Sequence, residues 1–162
     1  MEQTLTAEKI ITDGKLPPYK YTVLFVCTGN TCRSPMAEAI YNSYAKKLGL
    51  DRQAFSAGLF ADGAQISQHA KTVLEENGLA DENFTRKSVM IDDELCRSAD
   101  AIVGMTEAHA MKLIMTFPQY ATKIRTLNRD IPDPFGGYLD DYRKCYDQID
   151  KAIREEFFPE LT

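Results

Sequence analysis

Short apolar runs alternate with helix-length amphipathic segments along most of this chain, and that alternation limits the folds open to it. Four runs rich in β-branched and apolar residues have the length of strands: 21–26, 53–57, 101–105 and 123–127. A strand, helix, strand order places successive strands parallel in one sheet through right-handed crossovers. The sequence therefore predicts an α/β fold, a single three-layer α/β/α domain with a four-stranded parallel sheet.

Capping residues indicate where the helices begin and end. Ser34 is predicted as the N-cap of the first helix, and Gly49 is predicted to end it. Thr106 is predicted as the N-cap of the helix that follows the third strand. The remaining helices are predicted over about residues 67–77, 92–97 and 140–157.

Composition and charge exclude several classes of protein. Of the 162 residues, 44% are hydrophobic, which suffices for one core. A net charge of -5 argues against a nucleic-acid partner, because such proteins need an excess of Lys and Arg. No run approaches the roughly 20 apolar residues that span a bilayer, so we expect no membrane segment and a cytoplasmic location. Residues 1–19 are mostly polar and are predicted as an N-terminal extension to a domain over 20–162.

The turn after the first apolar run, "VCTGNTCRSP" at 26–35, combines cysteine, glycine and arginine. Cys27 follows the predicted strand directly, and residues 28–33 form a loop before the helix. Backbone N–H groups of such a loop can converge with a helix N-terminus, which carries roughly half a positive charge. The turn therefore predicts a local anion site. The residues expected around a bound phosphoryl group are Thr28, Gly29, Asn30, Thr31, Cys32 and Ser34.

Two side chains give this anion site a chemistry. The field that binds a phosphate also favours the thiolate form of Cys27, and the thiolate is the nucleophilic form of cysteine. Arg33, six residues on, can grip two oxygens of a phosphoryl group with its planar guanidinium. A cysteine nucleophile beside a guanidinium that can bind phosphoryl oxygens predicts transfer of a phosphoryl group to the cysteine sulfur.

Other uses of the turn fit the sequence less well. A nucleotide-binding loop needs Gly-Lys-Ser/Thr after Gly29, and a zinc site needs a cysteine pair that Cys96 and Cys145 do not form. Both of these cysteines are expected to be helix packing residues. A cysteine protease needs a histidine base, but His69 and His109 fall in predicted helices, where we expect surface or packing positions.

Four stretches resemble the low-molecular-weight protein tyrosine phosphatase family. They are "VLFVCTGNTCRSPMAEA" at 23–39, "SAGL" at 56–59, "SADAIVGMT" at 98–106 and "DPFGG" at 133–137, in the order that family shows. The resemblance covers about residues 21–157. It implies phosphorylated proteins as substrates, hydrolysis through a phosphocysteine with release of inorganic phosphate, and no metal or other cofactor.

The resemblance also assigns a role to an acidic residue. Asp133 would be the general acid that protonates the leaving atom, and afterwards the base that deprotonates the attacking water. Taken alone, Asp133 in "PDPFGG" is more typical of an ordinary turn. Asp130, three residues earlier, is a second candidate for the acid.

One supporting residue of the family differs in this chain. Asn30 resembles a family residue that is held in a left-handed backbone conformation by Ser34, Ser56 and a histidine. At the place of that histidine this chain has Arg86, or Thr85. The resemblance therefore implies that the support of the loop is altered here, and the bracing role of Ser56 is left open.

Two positions bear on the substrate. Family members that resemble this chain at Thr31 and Phe135 act on phosphoarginine, whereas its tyrosine phosphatases tend to carry an aliphatic residue in the loop and two aromatics after Asp-Pro. A hydroxyl at Thr31 would suit a polar guanidinium better than a phenyl ring. Phe135 would stack on the planar group. We expect a protein-arginine phosphatase, with a protein tyrosine phosphatase as the alternative.

The second cysteine of the loop and two further functions stay open. Cys32 is expected either to pack under the loop or to form a reversible disulfide with Cys27 under peroxide. A thioredoxin-linked arsenate reductase uses the same loop but needs further cysteines, and Cys96 lacks a partner shortly after the third strand. A non-catalytic phosphate-binding module would be expected to lack the nucleophile, the arginine or the acid.

Overall fold

Four parallel strands form one sheet in the computed structural model, which describes residues 20–79 and 86–161. The predicted extension, residues 1–19, lies outside the described residues, and so does Thr85. The strands are β1 (Tyr21–Cys27), β2 (Arg52–Gly58), β3 (Ala101–Gly104) and β4 (Ile124–Thr126). They pair in the order β2-β1-β3-β4. Each strand end lies within one residue of its predicted position, so the four strands and their parallel pairing are confirmed.

Five α-helices connect and cover the strands in the described part of the chain. The predicted N-cap Thr106 is confirmed, because its hydroxyl accepts from His109 N at 3.2 Å. The Ser67 hydroxyl caps the second helix in the same way, accepting from Ala70 N at 3.2 Å. Two short 3-10 segments follow the fourth and fifth helices. The helices are α1 (Arg33–Lys47), α2 (Gln68–Glu76), α3 (Asp93–Ser98), α4 (Glu107–Thr116) and α5 (Leu139–Phe157), and the 3-10 segments are Pro118–Lys123 and Pro159–Leu161.

The predicted N-cap of the first helix is wrong. The helix starts at Arg33 with Cys32 as its N-cap, and no side chain caps its first turn. Ser34 lies inside that turn, and its hydroxyl faces the buried end of β1, where Cys27 and Asn30 are its partners. A hydroxyl that bonds two groups beneath the loop cannot also cap the helix.

Alternate residues of the central strand face two separate cores. Val23 and Phe25 point to one face of the sheet, where α1, α2 and α5 pack. Leu24 and Val26 point to the other face, against α3 and α4. All four side chains are fully buried, and burying a side chain of this size stabilises the fold by about 1.5–3 kcal/mol. The three-layer arrangement is confirmed, and no helix among the described residues is both long and apolar enough to cross a membrane.

The segment after β4 runs past the carboxyl end of β3 to the carboxyl end of β1. Met105 N donates to Val26 O at 3.0 Å, and Ile131 N donates in turn to Met105 O at 2.9 Å. Because β1 lies between β2 and β3, connections leave its neighbourhood toward both sides of the sheet, and this arrangement opens a crevice at the strand ends. Two loops, one after β1 and one after β4, therefore meet at one crevice.

Gly58, the last residue of β2, lies directly beneath the loop that follows β1. A Cβ atom at Gly58 would lie 2.7 Å from Thr28 O and 2.9 Å from Asn30 N. The backbone bond from Phe60 N to Thr28 O, at 2.9 Å, holds the two segments at this separation. The loop can approach β2 this closely only because residue 58 has no side chain.

Substituting Gly58→Ala should push the loop away from β2 and lower the free energy of unfolding by roughly 1–3 kcal/mol, the usual cost of overpacking a tight site. Urea unfolding followed by circular dichroism measures this change. Gly29→Ala is the matched control, because a Cβ atom added at Gly29 would lie at an ordinary contact distance, 3.7 Å, from Thr31 Oγ1. Equal stability of the two variants would show that the close approach at Gly58 does not constrain the loop.

Candidate active site

An open cleft of about 230 Å³ lies at the carboxyl end of β1. The three residues predicted to carry the chemistry, Cys27, Arg33 and Asp133, all line it. Asn30 and Ser34 instead lie almost fully buried beneath the loop, so their side chains support the cleft from below. The residues that line the cleft are Cys27, Thr28, Gly29, Thr31, Cys32, Arg33, Asp133 and Phe135.

Cys27 forms the floor of the cleft. It is the last residue of β1 and its Sγ lies 2.9 Å from Ser34 Oγ in the first turn of α1. A helix N-terminus and a hydroxyl proton both stabilise negative charge on a nearby sulfur. The surroundings of this sulfur thus suit a thiolate that faces an incoming phosphoryl group.

Arg33 is held from two directions at the wall of the cleft. Its Nη1 donates to Ile131 O at 3.1 Å, and its Nη2 lies 3.5 Å from Asp133 Oδ2. The guanidinium is buried, whereas the carboxylate is half exposed. The buried bond to Ile131 O holds the guanidinium in place, whereas the exposed contact with Asp133 can be replaced by a ligand. The other N–H groups of Arg33 can therefore bind phosphoryl oxygens while the bond to Ile131 O is kept.

The geometry separates the two acidic candidates. Asp133 lines the cleft and accepts from Phe135 N at 3.1 Å through Oδ1. Asp130 instead accepts from Glu107 N at 2.8 Å and so satisfies the first turn of α4. Of the two carboxylates, only Asp133 lines the cleft together with Cys27.

Asn30 has the left-handed backbone that the family resemblance implied, with φ at 56°. Its Nδ2 donates to Ser34 Oγ at 2.8 Å and to Ser56 Oγ at 2.9 Å. Its Oδ1 accepts from Val89 N at 2.9 Å. These buried bonds hold a conformation that a non-glycine residue rarely adopts.

Arg86 completes the support under the loop at the place where the resemblance implied a histidine. Its Nη2 donates to Ser56 Oγ at 2.8 Å, and its Nη1 donates to Glu38 Oε1 at 3.0 Å. Ser56 Oγ also lies 3.3 Å from Glu38 Oε1. Ser56 therefore keeps its bracing role, and the alteration expected from the sequence is the exchange of an imidazole for a guanidinium.

His109 supports the opposite side of the loop, a contact that the sequence did not indicate. Its Nε2 lies 2.9 Å from Thr28 Oγ1 and its Nδ1 lies 3.0 Å from Thr106 Oγ1. Burial, helped by the nearby Arg33, lowers the pKa of His109 to about 4, so the ring is neutral at physiological pH. Of the two kinds of position expected for these helical histidines, His109 takes a buried one and His69 a surface one.

The other two cysteines are buried packing residues, as expected. Burial raises the pKa of Cys96 to about 11 and that of Cys145 to about 12, so both remain thiols. Cys96 belongs to the core on the face of the sheet opposite to that of Cys32, so Cys96 is not placed to pass a disulfide on from the loop. All four thiols are free, and the described residues contain no group of side chains suited to a metal ion.

His109 should make the folded protein less stable as the pH falls. The unfolded chain protonates this ring near pH 6.5, whereas burial and Arg33 lower its folded pKa to about 4. Above pH 6.5 the ring is neutral in both states and its full contribution is present. Between pH 6.5 and 4 the unfolded chain binds the proton first, and the free energy of unfolding falls by up to about 1.4 kcal/mol per pH unit.

Urea unfolding of the wild type and of His109→Gln at pH 7 and pH 5 isolates this contribution, because the other titrating groups are common to both proteins. Between the two pH values the wild type should lose about 2 kcal/mol more than the variant. Equal losses would mean that His109 binds its proton as readily in the folded protein as in the unfolded chain.

Comparison with known proteins agrees with this geometry. The family model described as low molecular weight phosphotyrosine protein phosphatase matches residues 22–161. A protein-arginine-phosphatase of Bacillus subtilis (strain 168) is 38% identical over 141 residues, which cover 82% of this chain and 92% of that protein. The low molecular weight protein-tyrosine-phosphatase PtpB of Staphylococcus haemolyticus is 37% identical over 134 residues, covering 78% of this chain and 91% of the relative.

Solved structures share the fold. A low molecular weight protein tyrosine phosphatase from T. tengcongensis matches with a TM-score of 0.80 at 37% identity, covering 88% of this chain and 100% of that chain. A YwlE arginine phosphatase mutant with a phosphorylated active-site serine matches with a TM-score of 0.79 at 37% identity, covering 83% and 91% of the two chains. Since the family model spans most of its length, this chain belongs to the low molecular weight phosphotyrosine protein phosphatase family.

Proposed function

We propose that this protein is a protein-arginine phosphatase that hydrolyses phosphoarginine in proteins through a phosphocysteine on Cys27. The observation that carries the proposal is the cleft in which Cys27, Arg33 and Asp133 meet, with Thr31 on its wall. The second candidate is a protein tyrosine phosphatase, the activity for which the Staphylococcus relative is named. Such an enzyme would use the same three residues. A phosphate-binding module without catalytic activity would not need Cys27, Arg33 and Asp133 together.

In the first step the Cys27 thiolate attacks phosphorus while the bond from phosphorus to the guanidinium nitrogen breaks. Arg33 and the loop N–H groups stabilise the charge on the three phosphoryl oxygens during transfer. Asp133 gives its proton to the leaving nitrogen, so that the arginine side chain departs as an ordinary guanidinium. A phosphorylated active-site serine in the YwlE mutant structure supports a covalent intermediate at this position.

In the second step a water molecule attacks the phosphocysteine. Asp133, now a carboxylate, takes a proton from this water as the new oxygen to phosphorus bond forms. The sulfur to phosphorus bond breaks, Cys27 returns as thiolate, and inorganic phosphate leaves. The half-exposed position of Asp133 lets water reach it between the two steps.

Thr31 supports arginine over tyrosine as the substrate residue. It lines the cleft, and the contact of its Oγ1 with Cys32 Sγ at 3.7 Å is a weak one. A guanidinium beside the phosphoryl group can bond this hydroxyl, whereas a phenyl ring would leave it without a strong partner. Phe135, with 78% of its surface exposed at the rim of the cleft, offers a flat face for the planar group.

Thr31→Ile should lower kcat/KM on a phosphoarginine protein relative to kcat/KM on a phosphotyrosine peptide by about tenfold or more, the effect of losing one hydrogen bond to a charged group. Phosphate release measured on both substrates gives this ratio. Thr31→Ser is the matched control, because it keeps the hydroxyl, and it should stay near the wild-type ratio. An unchanged ratio in Thr31→Ile would contradict the role of the hydroxyl.

Cys27→Ser tests the reaction itself in the same assay. Release of phosphate from both substrates should fall to background, because a serine hydroxyl cannot replace the thiolate as nucleophile and leaving group at neutral pH. Phosphate release at the wild-type rate in this variant would overturn the proposed function whatever the substrate.

The two loop cysteines should form a reversible disulfide under peroxide. Both line the cleft as free thiols. Peroxide would oxidise Cys27 to the sulfenic acid, and the Cys32 thiol would then displace water from it. Dithiothreitol should restore the activity of the wild type but not that of Cys32→Ser. Mass spectrometry that finds no link between the two cysteines in reactivatable enzyme would disprove the disulfide.

A further inference from the structure

We propose that a cavity beside the catalytic cleft is a subsite for an apolar side chain of the protein substrate, one or two residues away from the phosphorylated residue. The inference rests on the proposed function, because it takes the phosphorylated side chain to occupy the cleft above Cys27. It deepens that function by assigning one face of α5, with Gln148 at its end, to recognition of the sequence around the phosphorylation site.

This cavity has a volume of about 280 Å³, comparable with the 230 Å³ of the catalytic cleft. Asp133 and Phe135 line both spaces, so one turn of the chain separates them. Pockets that hold a whole small molecule usually measure roughly 300–1,000 Å³. The cavity therefore suits a single side chain of a substrate that is already bound in the cleft.

The turn that carries Asp133 and Phe135 is held in one shape. Phe135 N donates to Asp133 Oδ1 at 3.1 Å. Gly137 N donates to Pro134 O at 2.9 Å, and Gly136 has φ at 80°, which a type II turn requires of its third residue. Both spaces are therefore formed before a substrate arrives, and filling them does not cost the ordering of a loop.

The floor of the cavity is apolar. Pro134 and Cys145 are buried, and Pro132 and Phe135 also line the space. Cys145 is a free thiol whose Sγ lies 3.9 Å from Pro132 O, and such a thiol behaves as a small hydrophobic group. The floor thus favours an aliphatic or aromatic side chain, whose apolar surface it removes from water.

The rest of the lining comes from one face of α5. Asp141, Lys144, Cys145 and Gln148 follow one another at spacings of three, one and three residues, which places them on the same side of a helix. When Asp133 is the protonated acid of the first step, the lining holds one negative and one positive group, Asp141 and Lys144. Apolar contact, rather than net charge, therefore decides which side chain binds.

The crest of the turn lies at the surface, so a substrate chain can cross it. Phe135 is 78% exposed and the Asp133 side chain is half exposed. A phosphorylated arginine reaches Cys27 with its stem extended, which leaves its backbone near the level of this crest. An extended chain advances about 3.3 Å per residue, so a side chain one or two positions away descends on the other side of Phe135.

A set of phosphoarginine peptides tests the subsite on the wild-type protein. Each peptide has one Leu at position −2, −1, +1 or +2 from the phosphorylated residue, and a reference peptide has Ala at all four. Leu should raise kcat/KM about tenfold over the reference at one of these positions, the lower end of the discrimination that apolar pockets achieve. Equal values for all the peptides would overturn the subsite.

Gln148→Phe fills the cavity from α5 and should reduce the preference for Leu to below about twofold. Gln148→Ala is the matched control, because it leaves the cavity open, and it should keep the preference. Hydrolysis of p-nitrophenyl phosphate, which has no flanking residue, should keep its wild-type kcat/KM in both variants. An undiminished preference for Leu in folded Gln148→Phe, or an equal loss on p-nitrophenyl phosphate, would overturn the subsite.

The same peptides with phosphotyrosine separate this result from the proposed function. Hydrolysis of the phosphotyrosine set alone, with the same preference for Leu, would disprove the arginine substrate and support the subsite. Hydrolysis of the phosphoarginine set at equal rates for Leu and Ala would support the proposed function and disprove the subsite.

Discussion

The left-handed backbone at Asn30 is the constraint on which the shape of the site depends. A non-glycine residue in this conformation costs about 1–3 kcal/mol, and the cost is offset by the bonds of its amide to Ser34, Ser56 and Val89. One left-handed residue among right-handed ones turns successive N–H groups toward a common centre. The conformation that aims the loop at a phosphoryl group is thus held from below by side chains that never enter the cleft. Gly58 makes room for it, since any side chain there would strike the turn.

The pairing of Arg33 with Asp133 gives the free site a balanced charge that substrate binding disturbs. In the free protein the guanidinium lies 3.5 Å from the carboxylate and is anchored on Ile131 O. A phosphoryl dianion competes for the same guanidinium with twice the charge and in bidentate geometry. Asp133 is the exposed partner of the pair, so the carboxylate can move aside while the guanidinium keeps its bond to Ile131 O.

The sequence predicted what is local and missed what joins distant segments. Cys27 and Arg33 lie six residues apart after one strand, so their meeting in a cleft followed from strand, loop and helix alone. The prediction of Ser34 as N-cap failed because tertiary partners took its hydroxyl. His109 reaches Thr28 across 81 residues, and only the parallel sheet, which brings the ends of β1 and β3 to one edge, could have suggested the contact. Arg86 was recognised as a departure from the family, but the contacts that it makes depend on packing that no spacing encodes.

Two nitrogen-bearing side chains, His109 and Arg86, support the loop from different sides. On the Thr28 side, the neutral imidazole of His109 lies between the hydroxyls of Thr28 and Thr106. Each of these groups can donate or accept a hydrogen bond, so the contacts fix the position of the loop but not the direction of the hydrogen bonds. A charge on that ring would oppose Arg33, and burial keeps it neutral. On the Cys27 side stands a guanidinium, which can only donate. Arg86 donates to Ser56 and Glu38, which lie beneath the loop. Neither His109 nor Arg86 lines the cleft, so both hold the loop in place while leaving the space above Cys27 open to a phosphoryl group.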